Sequence, residues 1–193
     1  VHRDEHSLEM QMPFLQRLLP GLRILPLLMG SQSREEAEAL AEALGKGLAG
    51  RDALLVASSD LSHYQPAAVA NRQDAVVVAE VGRFDEEALM ARLETHRNVA
   101  CGGGPVVAVM KAARLLGADR ATVLSGRCVA YGGTTYRPLV EILRNAGGPE
   151  AVEEGGDSGF VYYTRFFRSA DGSTPAPRGP LNSPFESHSI LTL

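Results

Sequence analysis

The chain has 193 residues, of which 45% are hydrophobic, and this is enough apolar material for one globular domain. Its formal net charge is −4, with 19 scattered basic residues against 23 acidic ones, so we expect no binding to nucleic acid or to anionic lipid. The sequence has no apolar run long enough to span a membrane, so we expect no membrane span. It has only two cysteines and no signal segment, so we expect no disulfide framework and a cytoplasmic location.

The first predicted elements are a helix and a β–α–β unit. Apolar residues recur on one helical face over residues 8–19, and Pro13 is expected to kink this helix or make it restart. The apolar runs 22–29 and 53–58 are predicted strands on either side of an Ala- and Glu-rich helix over 34–48. Continuous apolar strands joined by a helix imply a parallel sheet covered on both faces.

The rest of the chain continues the α/β pattern. We predict helices over 67–81, 84–96 and 105–116, strands over 121–124 and 160–167, a short helix within 131–145 and a loop over 147–156. Ser, Pro and Gly accumulate after residue 167, so residues 168–193 are expected to form a mobile tail. We see no linker that would divide residues 1–167 into two domains.

A loop with acidic and imidazole side chains follows the predicted strand over 53–58. Asp60 and His63 would lie at the carboxyl end of this strand, where sites form in open α/β sheets. They can converge on a metal, or the carboxylate can orient an imidazole that acts as a base. The structural alternative, which spacing alone favours, is that Asp60 caps a turn and His63 packs or lies on the surface. Tyr64 can donate to a ligand or simply pack.

Cys101 precedes three glycines and Pro105 at the start of a predicted helix. A thiolate there would serve as a metal ligand or nucleophile, and the glycines would let a substrate or ion approach closely. The alternative, with equal support, is a small buried hydrophobe before a flexible turn. The glycines lack the spacing of a nucleotide-binding loop. Cys128 is interpreted as a packed thiol, and His6 could face a cleft at the start of the first helix.

Three motifs together resemble the Memo family, whose bacterial and archaeal members are called AmmeMemoRadiSam system protein B. They are Asp-Glu-His-Ser-Leu-Glu-Met over 4–10, Ser58-Ser59-Asp60 with His63, and Cys101-Gly102 with Pro105. The resemblance covers residues 1–127 and, more loosely, 157–167. It implies a fold similar to the LigB-type, class III extradiol dioxygenases, which is a three-layer α/β fold with a mostly parallel sheet flanked by helices.

The resemblance also implies roles for individual residues. Cys101 matches the family's thiolate metal ligand, and the metal would be iron or copper. Asp60 and His63 match pocket residues and would be catalytic, with His63 moving protons. His6 matches a histidine that would line the pocket, and beside it Tyr64 and Gly102 are predicted from their own positions to contact the substrate.

Two functions are compatible with this resemblance. The first is a redox-active metal pocket, which would make the protein a metal-dependent oxidoreductase of the non-heme dioxygenase type. The alternative is a non-catalytic protein that binds a peptide or small molecule in the same pocket. The compound family name also implies a radical-SAM protein as a partner.

The sequence departs from the family pattern in one respect. The family's two histidine ligands come from Pro-His-Ala-Gly and Ser-His-His stretches that this sequence does not contain. The chain also opens with Val1 rather than Met, so we interpret residues 1–167 as the C-terminal portion of a single Memo-like domain, incomplete at its N-terminus. We therefore expect no metal to bind tightly to this fragment alone.

Overall fold

The structure is a computed structural model that describes residues 7–18, 20–21, 23–51, 53–96, 98–127, 160–167 and 189–192. Their elements are, in chain order, α1 (Ser7–Leu18), α2 (Arg34–Leu48), β1 (Leu55–Ser58), α3 (Ala67–Gly82), α4 (Glu86–Thr95), α5 (Gly103–Leu115), β2 (Arg120–Arg127), β3 (Phe160–Phe167) and β4 (Ser189–Thr192). No helix in these ranges has both the length and the apolar character that crossing a membrane requires. The helix predicted within 131–145 and the loop predicted over 147–156 lie outside the described residues.

Helices α2 to α5 confirm the predicted helices to within a few residues, because their ends carry local signals. Ser33 and Asp85 are the N-caps of α2 and α4, and each side chain accepts a hydrogen bond from the N–H three residues later. Gly117, with φ of +98°, follows the end of α5. Its N–H and that of Ala118 donate back into the last turn, as is common where a glycine ends a helix.

Helix α1 is continuous from Ser7 to Leu18 and contains Pro13. The expectation that the helix restarts at this proline is therefore wrong, and the expected kink stays a prediction. Pro13 is exposed and removes one backbone hydrogen bond without ending the helix.

Residues 23–29 form no strand, so the predicted strand over 22–29 and the β–α–β unit built on it are wrong. None of the described strands pairs with this segment, and Pro26 in its middle has no N–H to donate. The segment exposes large apolar side chains, with Leu25 at 80% exposure. An apolar run becomes a strand only where a neighbour accepts and donates its backbone hydrogen bonds.

The four described strands form one sheet in the order β1-β4-β3-β2. The strands predicted at 53–58, 121–124 and 160–167 are confirmed as β1, β2 and β3, although β2 is twice as long as predicted. Strand β1 is parallel to β4, whereas β3 is antiparallel to both of its neighbours. The expectation of a mostly parallel sheet is therefore wrong for these strands, because two of the three pairings are antiparallel.

Strand β4 lies within residues 168–193, which the sequence predicts to be a mobile tail. Residues 189–192 pair with β1 and β3, the rest of the tail lies outside the described residues, and its mobility stays a prediction. Ile190 and Leu191 give β4 an apolar centre suited to a strand. Its place between β1 and β3 depends on pairing with distant residues, for which the local composition gives no signal.

The core lies where the helices pack on this sheet, with α5 at its centre. Helix α5 contacts β1, β4, α2 and α4, and its residues 106–110 are all buried. Helix α3 packs on β2 and β3 and contacts α4. A mixed α/β fold with helices against the sheet is thus observed, while helical cover on both faces stays a prediction. Because α5 is buried, the loop that leads into it has a fixed position.

Ion pairs link the helices around this core. In α3 the carboxylate of Glu80 is nearly fully buried, and Arg92 of α4 donates to it at 2.6 Å. Arg34 at the start of α2 pairs with Glu87 at 2.5 Å and with Glu94 at 2.9 Å, both on α4. These contacts hold α4 against its neighbours on two sides.

Two of these carboxyl groups have pKa values below their ordinary range. Lys111 and then Arg34 lower the pKa of Glu87 through hydrogen bonds to its carboxylate. Arg34 lowers the pKa of Glu94 in the same way. The pairs therefore stabilise the folded chain while both carboxylates are ionised.

Candidate functional site

Two loops meet at the candidate site. The first follows β1 and carries Asp60 and His63, and the second leads into α5 and carries Cys101. Because β1 contacts α5, the end of the strand and the start of the helix lie side by side. The ligand atoms of the three side chains lie within 4.8 Å of one another. The structure therefore brings together the three residues for which the family resemblance implies metal binding and catalysis.

Three hydrogen bonds join the two loops, and a fourth lies within the first loop. The Cys101 N–H donates to the Asp60 carbonyl at 3.1 Å, and the Asp60 N–H donates to Cys101 Sγ at 3.2 Å. The Ser59 hydroxyl accepts from the Gly102 N–H at 2.9 Å and donates to the Asp60 carbonyl at 2.7 Å. Ser59 is only 5% exposed, so its hydrogen bonds are shielded from water. The thiol is thus held at a fixed position relative to Asp60.

The three glycines that follow the thiol each leave room for a different neighbour. A Cβ atom would lie 2.2 Å from the Ser58 carbonyl oxygen at Gly102, 2.4 Å from Leu93 Cδ2 at Gly103 and 2.7 Å from Gln32 Cβ at Gly104. From the sequence, these glycines are expected to let a substrate or ion approach closely. In the structure, protein atoms occupy the space beside all three, so packing within the chain explains them.

The N–H groups in the first turn of α5 are all engaged within the chain. That of Gly102 bonds to Ser59 Oγ, that of Gly103 to the Ala100 carbonyl and that of Gly104 to Gln32 Oε1, while Pro105 has none. Helix N-termini bind phosphate through free N–H groups. The start of α5 therefore offers no amide to such a ligand.

The cluster itself is open to solvent. All three side chains are exposed, and His63 Nε2 lies 3.5 Å from Asp60 Oδ2. The interpretation of Cys101 as a small buried hydrophobe is therefore wrong, because the residue is exposed and its thiol is free. A thiol, an imidazole and a carboxylate at these distances are a donor set that transition metals accept.

Of the three residues predicted to contact a substrate, the structure describes two, and these differ in exposure. Tyr64 is fully exposed beside the cluster, and its ring meets that of His63 edge-on at a centroid distance of 5.8 Å. Its φ of +58° is uncommon for an aromatic residue. Gly102 is buried against the end of β1. His6 lies outside the described residues.

Two residues that hold the site were not assigned this role from the sequence. Ser59 joins the loops through its hydroxyl, and the motif Ser58-Ser59-Asp60 was a signal that could have indicated it. Gln32 bonds to the loop of Cys101 through its side-chain amide. Nothing near Gln32 in the sequence indicates this, because its partners are 69 and 72 residues away.

These features define an α/β protein that gathers a thiol, an imidazole and a carboxylate where a strand ends and a helix begins. The chain belongs to the Memo family, since the family model described as Memo-like protein matches residues 1–131. The match includes Asp60, His63 and Cys101 and ends shortly after β2.

Curated relatives agree with this assignment. The chain is 32% identical to a MEMO1 family protein of Methanococcus vannielii over 131 residues, which is 65% of this chain and 46% of the relative. It is 38% identical to one of Methanosarcina mazei over 126 residues (64% and 47%) and 37% identical to one of Aquifex aeolicus over 125 residues (64% and 47%). The chain thus matches slightly less than half of the length of these relatives. No solved structure gives a significant match.

Proposed function

We propose that this Memo-family chain contributes a thiolate to a mononuclear iron or copper centre. In this proposal Cys101 is the metal ligand, and His63 and Asp60 are the pair that moves protons beside it. The observation that carries the proposal is the approach of the three ligand atoms to within 4.8 Å of one another. The resemblance to class III extradiol dioxygenases supplies the class of metal and the redox character.

The side chains fit such an ion. Thiolate and imidazole bind iron, copper and zinc. An ion held by Cys101 Sγ at about 2.3 Å would lie beside His63 and Asp60, because the donor atoms of the three exposed side chains lie within 4.8 Å of one another. The N–H of Asp60 also points at Cys101 Sγ, where a metal-bound thiolate would carry negative charge.

The chain's own residues would bind, orient and exchange protons. A bound iron or copper ion would supply redox chemistry to a substrate. Asp60, 3.5 Å from His63 Nε2, would orient the imidazole. His63 would then take a proton from the substrate and return it, as a general base does. Tyr64 would present an aromatic face at the edge of the site.

Titration of the 193-residue chain with excess cobalt(II), which detects the weak binding expected of this chain alone, tests the metal ligand, because a cobalt-bound thiolate absorbs by charge transfer. We expect this band in the wild-type chain and its loss in Cys101→Ser. Cys128→Ser is the matched control, since it removes the other thiol, and it should keep the band. The proposal is refuted by an unchanged band in Cys101→Ser, or by its absence from the wild-type chain in excess cobalt.

Oxygen uptake by the iron-loaded chain with a catechol tests the redox role. We expect uptake in the wild-type chain, none in Cys101→Ala, and a loss of about 100-fold or more in His63→Ala, which removes the proposed base. Metal content measured on the same samples separates loss of the ion from loss of proton transfer. Equal uptake by the wild-type chain and Cys101→Ala would exclude oxygenase function and favour a non-catalytic ligand-binding pocket.

A further inference from the structure

We infer that Gln32 is a positioning residue for Cys101, because its side chain holds the loop that presents the thiol. The inference rests on the proposed function only in taking that thiol to be a metal ligand. Gln32 lies between the irregular segment 23–29 and the start of α2, outside both loops that carry the site. Its effect on the site therefore passes through the backbone of the Cys101 loop.

The amide group of Gln32 bonds to both ends of this loop. Its Nε2 donates to the Cys101 carbonyl at 2.7 Å, and its Oε1 accepts from the Gly104 N–H at 2.8 Å. One planar group thus fixes the carbonyl of the thiol-bearing residue and the second residue of α5 relative to each other. Rotation of the Cys101 backbone would break the first of these bonds.

The hydrogen bond to Gly104 replaces a conventional helix cap. The N-cap of α5 is Gly102, which has no side chain to accept from the first turn. Gln32 supplies that acceptor from a distant part of the chain. A Cβ at Gly104 would lie 2.7 Å from Gln32 Cβ, so the approach requires glycine at this position.

The segment that carries Gln32 is held in place independently of the bonds that Gln32 makes to the Cys101 loop. The next residue, Ser33, is the N-cap of α2, and Arg34 forms ion pairs with Glu87 and Glu94 of α4. Helix α2 also packs directly on α5. The segment that carries Gln32 is therefore already ordered, which lowers the entropy lost when the side chain forms its two hydrogen bonds.

Only an amide of this length meets both requirements. Glutamine offers one acceptor and two donors at the end of two methylene groups, whereas an ionised glutamate offers acceptors alone. Gln32→Glu should keep the bond from the Gly104 N–H and lose the one to the Cys101 carbonyl. Gln32→Ala should lose both. The two variants thus separate capping of α5 from positioning of the thiol.

Cobalt(II) affinity, measured on the full 193-residue chain, tests the effect on the metal site. We expect both Gln32→Ala and Gln32→Glu to bind cobalt about 10-fold more weakly than wild type, a loss typical of residues that orient a ligand. The charge-transfer band should remain at saturation, because Cys101 is intact. Gln16→Ala, at an exposed glutamine of α1, is the matched control and should bind like wild type. Wild-type affinity in both Gln32 variants would overturn the inference.

Amide hydrogen exchange in the metal-free chain gives a second, independent readout. Loss of its acceptor should speed exchange of the Gly104 N–H about fivefold in Gln32→Ala but not in Gln32→Glu, while distant amides in α3 stay unchanged. If wild type binds no cobalt but this exchange pattern is found, the proposed metal function fails and the positioning by Gln32 stands. If cobalt binds through Cys101 and Gly104 exchange is unchanged in Gln32→Ala, the positioning fails and the metal function stands.

Discussion

Replacement of Gly102 by alanine would separate the two loops of the site. The added Cβ would lie 2.2 Å from the Ser58 carbonyl oxygen and 2.9 Å from both Cα and Cβ of Ser59. Carbon–oxygen contacts are normally about 3.3 Å or longer, so the loops would have to move apart by roughly 1 Å. The hydrogen bond from the Gly102 N–H to Ser59 Oγ, now 2.9 Å long, would not survive this movement.

The cost of this separation follows from two contributions. Inserting a methyl group into a packed site costs about 1–3 kcal/mol, and the lost hydrogen bond adds about 1 kcal/mol. We therefore expect Gly102→Ala to lower the free energy of unfolding by about 2–4 kcal/mol, measured by urea denaturation followed by circular dichroism.

Gly47→Ala is the matched control, because a Cβ at Gly47 of α2 would have nothing within 4 Å. This change should raise the free energy of unfolding by about 0.5–1 kcal/mol, as expected for alanine in place of glycine in a helix. If Gly102→Ala matched the wild-type chain to within about 0.5 kcal/mol, the close packing of the two loops would be wrong.

Two further predictions concern the ion pairs. Arg92→Ala should lower the free energy of unfolding by about 2 kcal/mol, measured by urea denaturation, because it leaves the buried Glu80 carboxylate unpaired. The loss is smaller than for a fully buried pair because Arg92 is partly exposed. A loss under about 0.5 kcal/mol would contradict this. Because Lys111 and Arg34 lower the pKa of Glu87 from its ordinary 4.5, its stabilisation is present above about pH 4.5 and disappears as the pH falls through the lowered value. When thermal unfolding is followed at decreasing pH, the melting temperature should therefore fall less for Glu87→Gln than for the wild-type chain. Equal falls in the two proteins would count against the pairing.

The helices were predictable because their signals are local. Ser33 caps α2, Asp85 caps α4 and Gly117 ends α5, each within a few residues of the turn that it completes. Strand prediction succeeded for β3, which is rich in aromatic residues, and failed for residues 23–29, which are as apolar but have no described neighbour to pair with. Strand pairing depends on distant partners, and the composition of one segment does not contain them.

The site was predictable to a similar extent. The sequence places Asp60 and His63 after a strand and Cys101 before a helix, but spacing alone favours a structural role, and only the resemblance to the Memo family implies that the three share one site. The residues that fix the geometry were not predictable, because Ser59 and Gln32 act through bonds to backbone groups 43 to 72 residues away. The glycines were noticed in the sequence, but the atoms that require them belong to other elements.

The filled space beside residues 102–104 limits how the surroundings of Cys101 can be redesigned. An engineer who wished to change the polarity around the thiol could add no side chain to that glycine run without displacing Ser58, Leu93 or Gln32. New chemistry would have to be introduced from the loop after β1, at exposed positions such as Tyr64 and Gln65. That loop can therefore accept varied side chains, while the glycine run before α5 has to stay constant.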